Sequence, residues 1–119
     1  IVVVKHLLPL LERSERAVVV QISSWLGSIE AKSRGGHYGY ATSKAALNMM
    51  NRALALQVRE RGIVAVAVNP GWVRTDMGGA KATLTPETSV RGMIDNVVER
   101  VTVEDAGAFL QWDGTRHPW

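Results

Sequence analysis

Tyr40 and Lys44 stand four residues apart in the run Tyr40-Ala41-Thr42-Ser43-Lys44. On a helix that spacing stacks the two side chains one turn apart on one face, so the ammonium lies close to the phenol. A nearby cation favours the phenolate, pulling a tyrosine from its usual value of about 10 toward the pH at which a general acid or base works best. A Tyr-x-x-x-Lys pattern alone is also met as two surface neighbours paired by accident. Its flanks decide in favour of chemistry. Ile22-Ser23-Ser24 closes an apolar run upstream, and Asn69-Pro70-Gly71 closes the next one downstream.

The elements that must position these groups follow from the hydrophobic periodicity. Val4, Leu7, Leu8 and Leu11 recur at helical spacing, with Pro9 expected to bend that helix, and Ala17 to Ile22 reads as a buried strand. From about Tyr40 to Arg61, Leu47, Met50, Leu54 and Val58 form one apolar stripe, and Ala41, Ala45, Met49 and Ala53 a second. A helix apolar on two sides is expected to be packed on two sides. Gly62 suits the position just past its end, and Ile63 to Val68 is a continuous apolar run of the kind that fills a parallel sheet covered on both faces. Thr85-Pro86-Glu87 opens a helix that Val90, Met93, Ile94, Val97, Val98 and Val101 continue. Gly107 to Trp112 supplies a last strand, and Asp113-Gly114 turns the chain into a tail ending at Trp119.

Helix, strand, helix, strand, helix, strand implies an open α/β sheet of parallel strands, doubly wound, with ligands bound beyond the carboxyl ends of the strands. Ser23, Ser24 and Gly27 fall at one such end, and Asn69 to Met77 at the other. Architecture and chemistry converge on one site.

Composition limits the alternatives. With 119 residues, 46% of them apolar, the chain is one domain at most. It starts at Ile1 without an initiating Met, directly in an apolar stretch, and is expected to be a fragment. Lys5 and His6 interrupt that stretch, which is too short to span a bilayer or to read as a secretory leader. The chain has no Cys, which excludes disulfides and thiolate chemistry and fits a reducing cytoplasm. A net charge of +3 without blocks of like charge describes solvated surface better than a nucleic-acid patch. His6 and His117 are isolated, and no spacing of His, Asp and Glu suggests a metal site.

Ile22-Ser23-Ser24-x-x-Gly27, Tyr40-x-x-x-Lys44 followed by Ala45-Ala46-Leu47-Asn48-Met49, and Pro70-Gly71-Trp72-Val73-Arg74-Thr75-Asp76-Met77 resemble the corresponding segments of short-chain dehydrogenases/reductases. Within that family, the Gly-Gly insert before Tyr40 and the run from Pro70 to Met77 are most similar to the branch of C-factor and sniffer-type carbonyl reductases. The resemblance implies a Rossmann-type fold of which residues 1–119 are the carboxyl-terminal part, and hydride transfer between NADP or NAD and a small carbonyl or alcohol. It also implies that subunits can pair through the two long helices.

By position, Tyr40 would be the general acid and base. Lys44 would tune it and hold the nicotinamide ribose, and Ser24 would stabilise charge on the carbonyl oxygen. Ser23 would point the other way, because successive residues at a strand end face opposite sides. Pro70 and Gly71 would let backbone approach the nicotinamide, with the Val73 main chain and the Thr75 hydroxyl contacting the cofactor. Trp25 and Trp72 would wall an apolar substrate pocket under a mobile cover of Met77 and Gly78-Gly79, or simply pack in the core or at the rim. The family's glycine-rich phosphate turn, its NAD- or NADP-selecting residue and its catalytic Asn have no counterpart among these residues. Two other roles stand beside the enzyme: a non-catalytic cofactor-sensing or signalling protein of the same fold, and an inactive truncated remnant.

Overall fold

The computed structural model describes residues 2–119. Three strands, β1 (Ala17–Ile22), β2 (Ile63–Asn69) and β3 (Phe109–Gln111), form one parallel sheet in the order β1-β2-β3. Helices α1 (Val2–Leu11), α2 (Tyr38–Val58) and α3 (Pro86–Met93) connect or precede them. All seven residues of β2 are buried, as a central strand covered on both faces requires.

Alternation along β2 divides the core in two. Ile63 and Ala65 face Val4 of α1 and Leu54, Ala55 and Val58 of α2. Val64, Val66 and Val68 face Val97 and Val101, with Ala108 and Leu110 beside them. This is the doubly wound arrangement that the sequence implies, with helices on both faces of the sheet.

The structure departs from the periodicity in three places. Residues Asn48 and Asn51 occupy the buried face of α2, while Met49 and Met50 of the two apolar stripes stay exposed, at 69% and 46%. The helix therefore packs on one side rather than two. After Met93 the backbone widens into a π-turn over Ile94–Val98, where Glu99 donates to the Ile94 carbonyl at 2.9 Å. The extra residue rotates the following side chains, so the buried positions run Ser89, Gly92, Val97, Val101, and Ile94 is exposed. Finally, β3 is shorter than Gly107–Trp112, and the tail does not lead away from it. His117 donates its backbone N–H to Phe109 at 2.8 Å and Gln111 donates to Thr115 at 2.7 Å, so the tail folds back along β3.

Candidate active site

At the end of β1 the two serines diverge. Ser23, 2% exposed, donates its hydroxyl to Asn48 Oδ1 of α2 at 2.5 Å, and Asn48 Nδ2 donates to the Gly27 carbonyl at 3.3 Å. Ser24 is extended (φ −158°, ψ 150°), and its Oγ accepts from the Leu26 N–H at 3.2 Å, capping a short 3-10 turn over Trp25–Gly27. That turn lies directly on α2, where a Cβ on Gly27 would stand 3.0 Å from the Lys44 backbone. Glycine thus lets the serine-bearing turn reach the helix that carries the tyrosine.

Helix α2 begins after His37, whose left-handed backbone (φ 53°, ψ 31°) turns the chain into the helix. Tyr40 follows in the first turn and is 38% exposed, so it is open to a ligand. Lys44 sits one turn later. Its Nζ donates to the Ile22 carbonyl at 3.0 Å and stands 5.7 Å from the centre of the Tyr40 ring. The ammonium is thereby anchored to the end of β1 beside the tyrosine.

The end of β2 supplies the opposite wall. Gly71 takes a positive φ of 80°, and a Cβ there would meet Leu84 Cδ1 at 2.4 Å and Trp112 Cδ1 at 3.0 Å, so only glycine fits this turn. The Pro70 carbonyl accepts from Ser89 Oγ of α3 at 2.6 Å. Val73 bridges to Leu84, and Thr75 Oγ1 accepts from the Gly78 N–H at 3.1 Å. Trp72 Nε1 donates to the Gly78 carbonyl at 2.9 Å, so the cover is pinned at Gly78 while Met77, 85% exposed, projects from it.

Between these walls lies an open cleft of about 800 Å³ that brings together Ser24, Tyr40, Pro70, Gly71, Val73 and Thr75, with Lys44 outside its lining behind Tyr40. Leu26, Trp72, Met77, Val90 and Met93 make it largely apolar, and no Asp, Glu, Lys or Arg lines it. Trp25 does not face this cleft; it lines a neighbouring chamber. Among the described residues no group of three or more His, Cys, Asp and Glu could hold a metal ion, and no helix is long and apolar enough to cross a membrane.

One residue that joins the two walls was named in the sequence only as part of a turn. Asn69, 7% exposed, accepts the Trp25 N–H at 3.0 Å and the Gly71 N–H at 3.3 Å on Oδ1, and donates from Nδ2 to Gln111 Oε1 at 2.6 Å. The Gln111 amide nitrogen in turn meets His117 Nδ1 at 3.1 Å. Burial pushes the His117 imidazole below its ordinary value, opposed in part by the backbone of Trp25. The signal available in the sequence was an Asn directly after a fully apolar strand. That position puts an amide at the carboxyl edge of a buried sheet, where unpaired backbone N–H groups collect.

Fold and cleft define a class, and comparison with known proteins identifies it. Residues 1–85 match the short chain dehydrogenase family, and the chain belongs to that family. It is 43% identical over 117 residues to the C-signal of Myxococcus xanthus, covering 98% of this chain and 70% of that protein. The carbonyl reductase Sniffer of D. melanogaster superposes with a TM-score of 0.89 at 34% identity, over 97% of this chain and 50% of its own. The NADPH-bound carbonyl reductase from chicken fatty liver gives a TM-score of 0.81 at 37% identity, over 97% and 50%. The chain thus spans about half the length of these solved reductases.

Proposed function

We propose that this chain is the carbonyl-handling portion of an NAD(P)-dependent carbonyl reductase or alcohol dehydrogenase. The supporting observation is the convergence of Ser24, Tyr40 and the Pro70–Thr75 turn on one uncharged cleft at the carboxyl ends of β1 and β2, with Lys44 anchored behind the tyrosine. These residues fit the nicotinamide end of the cofactor. Tyr40, Pro70, Gly71, Val73 and Thr75 line the space in which the ring and its ribose would lie, with Lys44 beside Tyr40 just outside that lining. The NADPH bound to the chicken reductase supports this cofactor class.

A bound nicotinamide supplies the hydride in reduction and accepts it in oxidation. Tyr40 gives its hydroxyl proton to the carbonyl oxygen, or takes one from the alcohol. Lys44 fixes the ribose and sets a positive charge behind the ring, which stabilises negative charge on the phenol oxygen as the proton leaves. Ser24 Oγ already accepts from Leu26, so its own proton is left to donate to the substrate oxygen. The apolar walls contributed by Leu26, Trp72 and Met93 hold the rest of the substrate and exclude water.

A signalling role in the same fold has the C-signal relative in its favour. Ser24, Tyr40 and Lys44 argue for chemistry, since a binding module has little use for an acid backed by a cation. The test is Tyr40→Phe in the full-length protein that contains these residues. The ring still packs and NADPH still binds, but reduction of a panel of aldehydes and ketones falls by at least about a hundredfold, the usual scale for a lost general acid. Lys44→Met is expected to lower turnover and NADPH affinity together. Near-normal reduction by Tyr40→Phe would overturn the assignment.

A further inference from the structure

Next to the cleft, on the far side of Leu26 and His37, lies a second and more enclosed chamber of about 330 Å³. Both residues line both spaces, so the two adjoin across these side chains. Trp25, Leu26 and Ala31 supply apolar surface, while Lys32, Arg34 and His37 supply basic groups, and no Asp or Glu lines the chamber.

The segment that forms it is held in place from below. The Trp119 main-chain oxygen accepts from Ser28 Oγ at 3.1 Å and from the Glu30 N–H at 2.6 Å, and Ser28 Oγ accepts from the Ala31 N–H at 2.9 Å. Ser28 is 2% exposed, and the Trp119 ring lies against Phe109 of β3 at 5.6 Å between centroids. Lys32 Nζ donates to the Gly36 carbonyl at 3.0 Å, which folds its stem across the loop. Among the described residues the ion pairs are Arg61 with Glu12 and Arg116 with Asp105, so neither Lys32 nor Arg34 is matched by a carboxylate. A cleft lined by no Asp, Glu, Lys or Arg thus lies beside a chamber with two cations unmatched by a carboxylate.

We infer that this chamber seats the anionic end of the substrate, and that the preferred substrates are carbonyl compounds or alcohols with a carboxylate at the far end of an apolar body. A guanidinium offers the planar fork that pairs with a carboxylate through two parallel hydrogen bonds, and the ammonium of Lys32 adds a second charge. Trp25 and Leu26 supply the apolar surface along which the body of such a molecule can lie. The carbonyl then lies on the Ser24 and Tyr40 side of Leu26, and the carboxylate on the Arg34 side. This inference rests on the proposed reductase function for the position of the carbonyl, and on the chamber alone for the charge preference.

Terephthalaldehydic acid and its methyl ester test it, because they share ring and aldehyde and differ in one charge. With the full-length protein and NADPH, the acid is expected to show kcat/KM about tenfold above the ester, mostly through KM, as a partly exposed charge-assisted pair allows. In the Lys32→Gln/Arg34→Gln variant the ratio is expected to fall to about one, with the ester unchanged, since neither residue touches the carbonyl. Calorimetric titration of both compounds reads the same preference as affinity, without turnover. An acid-to-ester affinity ratio that is the same in the two proteins would overturn the inference. Selective binding of the acid without reduction of either compound would uphold the chamber and overturn the reductase reading.

Discussion

Asn69→Ala removes the side chain that ties the end of β1, the turn after β2 and β3 together. Three hydrogen bonds are lost at once, from Trp25 N–H, from Gly71 N–H and to Gln111 Oε1, at 3.0, 3.3 and 2.6 Å. At about 1 kcal/mol net each, the expected loss is about 3 kcal/mol, rising toward the upper end of the usual range if the two N–H groups are left without water. Asn69→Asp separates the parts. It keeps an acceptor for both N–H groups but turns the donor facing Gln111 into an acceptor, and it is expected to cost less, about 1–2 kcal/mol. Because the Trp25 N–H belongs to the turn that carries Ser24 and Leu26 on one side of the cleft, and Gly71 to the turn on the other, the alanine variant is also expected to raise KM for carbonyl substrates while the aspartate variant moves it little. Urea unfolding of the full-length protein, followed by tryptophan fluorescence, measures the first effect and steady-state kinetics the second. An alanine variant within about 0.5 kcal/mol of the parent, with unchanged KM, would refute the claim that this amide joins the two walls.

Asn51 is 2% exposed in α2 with neither side-chain amide atom hydrogen-bonded among the described residues. Asn51→Leu, which exchanges an unpaired polar group for an apolar one of like shape, is therefore expected to stabilise by about 1–2 kcal/mol in the same unfolding assay, and a loss would mean that the amide has a partner. His117, held below its ordinary value by burial, is native in its neutral form and accepts from Gln111 through Nδ1. Its contribution to stability is present above the unfolded value of about 6.5 and is lost as pH falls through the lowered folded value, so the urea midpoint should drop on acidification, and His117→Gln should flatten that drop. In the isolated 119-residue chain β1 is a terminal strand of the sheet, and Val2, Val3 and Leu10 of α1 are more than half exposed. Light scattering is expected to show association of this chain and titration to show only weak binding of NADPH or NADH; a monomer with micromolar affinity would contradict both expectations.

Much of this architecture is local and therefore legible in one dimension. The alternation that buries Ile63 and Ala65 on one face and Val64, Val66 and Val68 on the other is a property of neighbouring residues. So is the four-residue step from Tyr40 to Lys44, because a helix repeats its geometry every turn. The hydroxyls of Ser23 and Ser24 take different partners although both residues border the cleft, and Gly62 with its positive φ closes the 3-10 turn Arg59–Arg61 that follows α2. The stop and start signals at Gly62 and Thr85-Pro86 act over a few residues and could be read in the same way.

What tertiary structure decided are the bonds that join distant residues. Asn69 reaches Trp25 across 44 positions and Gln111 across 42, and Ser28 reaches Trp119 across 91. No periodicity announces such pairs, since each depends on where packing brings two backbones together. The buried polar face of α2 has the same origin: Asn48 is tolerated there because folding delivers Ser23 and the Gly27 carbonyl to it. The π-turn that re-aims α3 and the chamber held under Trp119 likewise exist only once the layers are assembled. Sequence by itself determined the helices, the strands and the side chains able to do chemistry, because those follow from local sterics and burial. The closing of two walls into one cleft, and of a loop into a chamber lined by basic side chains, was decided by long-range hydrogen bonds that form only when the packed core has brought their partners within reach.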